Sequence, residues 1–467
     1  MRSLARLARS HPSSTMAALG SVTLLAVWIE FFIIRHRTLL ALPVILTAVA
    51  VTAFTLSDGR RGRWYVLAGL GVLAVVAQFL WLVTSLHPLW IAALLTSLVL
   101  IVATWIAAWT LRQRGPANGA ARLRQRAARV GGFAGAGLSC VLSALLVSVA
   151  VDASPLAMAV QSGSGFGNSF EPRAATSVSE VNGTQLINDI SYGSTYPNSF
   201  LDIYIAENDP SVARPTYLVV HGGGFIAGGK SDGDPNAASA DSASFALGSG
   251  PILDAGYNVV SIDYALAPQV RYPVPVIQLG EAVRFLEERG AEYGLDMSRV
   301  VLAGGSAGGH IVSQFAAIQT NAGYAEQMNI EPTMDPETLK AVVLDSAALV
   351  PARASRSEAP VLSRDLLFDI SLRAYVGTSS ELLAESNIPE HVSSDFPPTF
   401  IADGNTGSFP DQASELASVL ESLGVRNQLD IPPLSEASLG HGYMFAASPW
   451  TDRYNEIKLA FLEDVVE

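Results

Sequence analysis

The sequence predicts an α/β domain with a mainly parallel central sheet and helices on both faces, preceded by a transmembrane helical region. Three observations carry this prediction. Short, nearly all-apolar strands alternate with helical patterns beyond residue 200, the signature of a parallel sheet covered on both sides. Five long apolar stretches precede residue 152. The charge divides at the same place: fourteen arginines, no lysine and three acids give residues 1–152 a net +11, whereas the remainder carries −24. A surface that acidic repels phosphates and speaks against a nucleic-acid partner.

A helix spans a bilayer with roughly 20 largely apolar residues. Stretches at about 16–34, 38–56, 64–84, 89–111 and 131–151 meet that length. Arginines flank them unevenly, and cytoplasmic loops are enriched in Arg and Lys. Arg2, Arg6 and Arg9, then Arg60, Arg61 and Arg63, then the basic linker 112–129 follow one another at intervals of two spans. This places the N-terminus in the cytoplasm and, with an odd number of spans, residues 152–467 outside it. Arg35-His36-Arg37 is the exception to the pattern. A cleaved signal at the last stretch fits poorly after four earlier spans. A re-entrant pair at 16–56 would leave the final orientation unchanged. Glu30 lies near the end of its span and can reach the interface. The lone cysteine, Cys140, excludes an internal disulfide. Mid-span, it reads as a small buried side chain in preference to a lipidation site. The expected organisation is a transmembrane region over 1–152, a flexible Ser/Gly/Ala/Pro-rich linker over 153–178, and a catalytic domain over 179–467.

Within that domain, strands are expected at Leu201–Ile205, Thr216–Val220, Asn258–Ile262, Val300–Ala303, Ala341–Leu344 and Thr399–Ala402. Helices are expected over about 274–293, after Gly308, and over about 409–423. Val276, Leu279, Val283 and Phe285 share one face of the first. The long interval 350–396 predicts a lid with helical pieces around Leu366–Tyr375.

The chemistry gathers at the C-terminal ends of these strands, where active sites of such sheets lie. Gly304-Gly305-Ser306-Ala307-Gly308 follows one strand and opens a helix. A G-x-S-x-G element so placed is a nucleophile elbow that lifts its serine to the sheet edge. His221-Gly222-Gly223-Gly224-Phe225 follows the strand 216–220, and its glycines allow backbone N–H groups close to a substrate oxygen. A histidine base is expected last in the chain. His441, before Gly442-Tyr443, fits that order, whereas His221 reads as a brace for its own loop.

These features resemble the hormone-sensitive-lipase-like and feruloyl-esterase-like branch of the α/β-hydrolases over about 180–460. Asp263-Tyr264-Ala265-Leu266-Ala267-Pro268, Leu201-Asp202-Ile203-Tyr204 and Tyr293-Gly294-Leu295-Asp296 are similar to its D-Y-x-L-A-P, L-D-x-Y and pre-elbow segments. The resemblance implies carboxylic-ester hydrolysis without cofactor or metal, with Gly223, Gly224 and Ala307 as oxyanion donors. It also exposes a departure. The family's acid follows Pro-Pro-Thr in a G-x-x-D pattern, but here Gly404-Asn405-Thr406-Gly407 ends in glycine. Asp403 stands first as a replacement. Asp411 also reads as the end of a capping box begun by Ser408, and Asp345 ends the previous strand; a dyad assisted by water or a backbone carbonyl is the remaining option.

The expected function is thus a membrane-anchored extracytoplasmic serine hydrolase, a carboxylesterase or lipase. Ser306, His441 and Asp403 are its catalytic residues, and a small-molecule or lipid ester and the bilayer are its partners. An acyltransferase or deacylase acting on lipid or envelope glycan could use the same site. A non-catalytic binding domain has only the missing acid in its favour.

Overall fold

The computed structural model describes residues 152–163, 176–181, 184–230, 248–354, 357 and 362–466, together with ten positions between 72 and 102. Those ten are helical and fall within the third and fourth expected spans; the other three spans lie outside the described residues. Among the described residues no helix is long and apolar enough to cross a membrane. Met1–Asp152 and Ala153–Glu467 form two separate compact units, and the second holds the candidate chemistry.

Among the described residues nine strands form one sheet: β1 (Ser177–Val181), β2 (Thr184–Ser191), β3 (Phe200–Ile205), β4 (Arg214–Val220), β5 (Asn258–Ile262), β6 (Leu295–Gly305), β7 (Leu339–Asp345), β8 (Thr399–Ala402) and β9 (Asn427–Asp430). Their spatial order is β1-β2-β3-β5-β4-β6-β7-β8-β9. From β5 to β9 every pairing is parallel, and β1, β2 and β3 join antiparallel. The β1–β2 pair has no counterpart among the strands expected from sequence. Its segments, Ser-Val-Ser-Glu-Val and Thr-Gln-Leu-Ile-Asn-Asp-Ile-Ser, mix polar with apolar residues. Antiparallel strands at the margin of a sheet, solvated on one face, carry no continuous apolar run to find.

The central strands do carry such runs. Val259, Val260, Val301, Leu302, Val343, Leu344 and Phe400 are fully buried, each contributing about 1.5–3 kcal/mol relative to exposure. Helices cover both faces: α1 (Ser154–Gly163), α2 (Gly250–Asp254), α3 (Val274–Arg289), α4 (Ala307–Thr320), α5 (Ala322–Met328), α6 (Leu362–Tyr375), α7 (Ser380–Glu385), α8 (Pro410–Ser422) and α9 (Pro449–Val466). On α3 the buried line runs Val276, Leu279, Val283 and Leu286. Phe285 is half-buried under the Arg289 guanidinium instead, as a period of 3.6 requires. On α9, Phe461 and Leu462 enter the same apolar cluster as Phe400 and Val301.

The expected linker over 153–178 is in part a helix. In α1, Gln161 donates from Nε2 to the carbonyls of Ile226 and Ala267, both at 2.7 Å, and Ser154 accepts from Arg271 at 2.7 Å. Most helical stability comes from tertiary packing, which linker-like composition does not reveal.

Behind the glycine loop lies a buried ionic cluster. Lys230 Nζ is 2.9 Å from Asp189 and 2.7 Å from Asp202, and its amide donates to Asp263 at 2.8 Å. Burial pushes the Asp202 carboxyl up to about 6 and Asp263 up to about 7, with Lys230 opposing both shifts. The cluster ties β2 and β3 to the end of β5 and to the chain leaving the glycine loop. Removing one partner of a buried ion pair leaves uncompensated charge and costs about 3–5 kcal/mol. Lys230→Met is therefore expected to lower the denaturant midpoint of the full chain by that equivalent; an unchanged midpoint would show that the cluster is not stabilising.

Candidate active site

The elbow is built by close backbone approach. Ser306 follows β6 and caps α4 with φ 53° and ψ −111°, a conformation sparsely populated by non-glycine residues and tolerated where the surroundings over-determine it. Its amide donates to the Asp345 carbonyl at 2.7 Å. A Cβ on Gly308 would stand 2.0 Å from the Val220 carbonyl oxygen, so only glycine lets α4 pass the end of β4. Ala307, the first residue of α4, has one of the amides that no intrahelical carbonyl satisfies.

The glycine loop leaves β4 beside this elbow. Gly222 packs on it, since a Cβ there would lie 3.5 Å from the Ser306 Cβ. Gly223 has φ +105°, and a side chain on it would strike the Ala227 carbonyl at 2.1 Å. Gly224 faces Ser371 of α6, and the Phe225 ring stacks on Tyr375 with centroids 3.8 Å apart. The loop is thus clamped between the elbow and α6. His221 stacks on Tyr264 at 4.2 Å and its Nδ1 lies 2.7 Å from the Gly222 carbonyl. Burial holds its imidazole down at about 4, so it is an uncharged brace.

His441 comes from the loop after β9 and reaches the elbow: its Nε2 is 3.0 Å from Ser306 Oγ. The loop after β8 carries it there. Asn405 donates to the carbonyls of Pro432 and Ala437 at 2.8 and 2.7 Å and accepts from the Leu439 amide at 3.0 Å. Thr406 bridges Gly440. Burial, with the charge of Arg364 adding to it, holds the His441 imidazole down at about 4. It is therefore neutral near pH 7 and able to accept a proton.

Asp403 does not touch His441. Its carboxylate turns back into its own loop, accepting the amides of Gly404 at 2.7 Å and Phe409 at 2.9 Å and the hydroxyl of Ser408. Ser408 Oγ is in turn 2.9 Å from His441 Nδ1. Burial pushes the Asp403 carboxyl up to about 7, against the hydrogen bonds of Ser408, Ser346 and the two amides. The structure brings neither other candidate to the imidazole. Asp345 accepts the Tyr454 hydroxyl, whose oxygen lies 2.8 and 2.7 Å from its two carboxylate oxygens, and Asp411 is partly exposed, 3.9 Å from Arg353. The capping box expected at Ser408–Asp411 does not form: the N-cap of α8 is Phe409, without a side-chain cap, because the Ser408 hydroxyl is engaged by Asp403 and His441. Ser408 and Asn405 escaped sequence reading because neither has the residue type expected of an acid loop.

The segment between β7 and β8 lies against the site through α6. Phe368 is 5.0 Å and Phe409 5.2 Å from the His441 ring, centroid to centroid. Arg364 packs on Gly440. Phe368 is half-buried and Phe409 fully buried behind it, so the imidazole is flanked by an apolar wall of which only Phe368 reaches the surface.

A sequence family described as BD-FAE matches residues 201–420. Carboxylesterase NlhH of Mycobacterium tuberculosis is 30% identical over 251 residues, which cover 52% of this chain and 72% of that protein. Esterase LipI of the same organism is 28% identical over 250 residues, covering 52% and 70%. Among solved structures, esterase B from Lactobacillus rhamnosis aligns with a TM-score of 0.53 at 22% identity, over 69% of this chain and 95% of that one; at that identity the likeness speaks for the fold. The elbow, the glycine loop and these relatives together show that the chain belongs to the α/β-hydrolase carboxylesterases and is a carboxylic ester hydrolase.

Proposed function

We propose that the chain is a membrane-anchored carboxylesterase whose hydrolase domain works outside the cytoplasm through an acyl-Ser306 intermediate. The observation that supports the chemistry best is the 3.0 Å approach of His441 Nε2 to Ser306 Oγ at a strained elbow. Ser306 Oγ attacks the ester carbonyl as His441 Nε2 takes its proton. The resulting oxyanion is held by backbone N–H groups of Gly223, Gly224 and Ala307, each such donor contributing about 10²–10³ in rate. The tetrahedral intermediate collapses, and His441 returns the proton to the departing alcohol. Water, activated by the same imidazole, then cleaves the acyl-enzyme.

The anchor and its orientation rest on the five apolar stretches before residue 152 and on the spacing of the arginine groups between them. The segment 350–396 serves as the lid, with Phe368 as the apolar face that selects the ester's apolar part, backed by the buried Phe409.

Three measurements test this function. Ser306→Ala is expected to abolish labelling by a fluorophosphonate probe and to lower esterase turnover by about 10⁴–10⁶-fold; retained labelling would move the nucleophile elsewhere. Alkaline phosphatase fused to the C-terminus of the full chain is expected to be active, and a fluorescent reporter that matures only in the cytoplasm to stay dark at the same point. The reverse pattern would invert the topology. Phe368→Ala is expected to change the ranking of acyl chain lengths mainly through KM. An unchanged ranking would remove α6 from substrate selection.

A further inference from the structure

The group facing Nδ1 of His441 is a serine where an acid is expected, and its hydrogen bonds can be given a direction. An ionised carboxylate only accepts, and a serine hydroxyl carries a single proton. Ser408 gives that proton to Asp403, so its oxygen is left to accept from His441 Nδ1–H across 2.9 Å. With the proton on Nδ1, Nε2 presents its lone pair to Ser306 Oγ, as a general base must. A protonated Asp403 could reverse the sequence. The carboxyl would donate to Ser408, Ser408 to Nδ1, and Nε2 would then carry the proton and lose its use as a base.

We propose that Ser408 is a positioning residue that joins His441 to Asp403 through its hydroxyl, so that a carboxylate out of direct reach still fixes the imidazole tautomer and stabilises the imidazolium. The proposal rests on the reading of Ser306 and His441 as the hydrolytic pair. When His441 Nε2 takes the Ser306 proton, the Ser306 O–H bond breaks and the Nε2–H bond forms. The protons on Nδ1 and Ser408 stay in place while their hydrogen bonds strengthen toward the Asp403 carboxylate. Ser408 and Asp403 are both wholly buried, so water does not compete for these bonds, and such networks are stronger in a low dielectric. Ser346 supports the arrangement from β7's end: it hydrogen-bonds Asp403 and accepts the Gly442 amide at 3.1 Å, holding the carboxylate and the histidine loop together. The other charged and titratable groups here are Arg364 on α6, beside His441, and Tyr443, on the side of Asp403. Asp345 faces Tyr454 and Lys458 on α9, and Asp430 faces Arg453.

The test uses the full chain in detergent with a chromogenic short-chain ester. In the wild type, kcat/KM is expected to rise with pH through about 7, as Asp403 loses its proton. Ser408→Ala is expected to lower kcat by about 10²–10⁴-fold, with a far smaller change in KM, and to abolish that rise. Ser408→Thr, which keeps a hydroxyl, is expected to retain both. Asp403→Asn is expected to lose the rise near pH 7, and the double variant with Ser408→Ala to lose no more than the worse single, as members of one chain of contacts behave. Wild-type kcat and pH profile in Ser408→Ala, or additive losses in the double variant, would overturn the proposal. If Ser408→Ala does not fold by circular dichroism, the Asp403→Asn profile decides: an unchanged rise overturns it. Fluorophosphonate labelling separates this failure from that of the esterase reading. A chain labelled on Ser306 and indifferent to Ser408 fails only the present inference, whereas a chain never labelled fails both.

Discussion

The site depends on one close backbone contact. Gly308 at the start of α4 lies so near the Val220 carbonyl that no side chain fits between them. Val220 is the last residue of β4, and the glycine loop begins at the next position. Gly308 stands two residues after Ser306. The contact therefore brings the end of one central strand and the turn after its neighbour to a single point. Everything else in the centre is arranged around that point: the positive φ of Ser306, the packing of Gly222 against it, and the approach of His441. Dense packing of this kind makes the geometry discrete.

Two further sets of contacts keep the point rigid. On one side, Lys230 holds Asp189 and Asp202 and binds Asp263 through its amide, so the antiparallel edge of the sheet and the exit of the glycine loop move as one piece. His221 stacks on Tyr264, the residue after Asp263, and carries that rigidity into the loop. On the other side, Asn405 stitches the loop after β8 to the loop after β9. That stitching decides which side chains His441 meets. The expected acid position is Gly407, with φ 58°, and the next residue, Ser408, is the one whose hydroxyl reaches the imidazole. A hydroxyl is uncharged, so the carboxyl group sits one group further back, on an aspartate that also closes its own loop by accepting the Gly404 and Phe409 amides.

The covering elements are chemically distinct from this core. Helix α6 brings Phe368, Ser371 and Tyr375 against the imidazole, Gly224 and Phe225. Helix α1 holds the carbonyls of Ile226 and Ala267 through Gln161. Helix α6 rests on the glycine loop itself, and α1 holds Ile226, the residue that follows it.

The sequence by itself determined the parallel half of the sheet, the elbow, the glycine loop and the histidine, because each is written in local terms. Buried strands are apolar runs, a sharp turn needs small residues, and chain order fixes the histidine as last. It could not determine what answers to contacts between distant segments. The β1–β2 pair is too polar to show as apolar runs, and α1 owes its place to carbonyls 65 and 106 residues away. The partner of His441 is the sharpest case. Asp403 and Asp345 stand at strand ends and Asp411 at the start of a helix, and only the fold turned Asp345 toward Tyr454, left Asp411 partly exposed beside Arg353, and set Ser408 between Asp403 and the imidazole. A hydrogen bond of 2.9 Å depends on the path of two loops that share no sequence signal, so tertiary structure alone decided it.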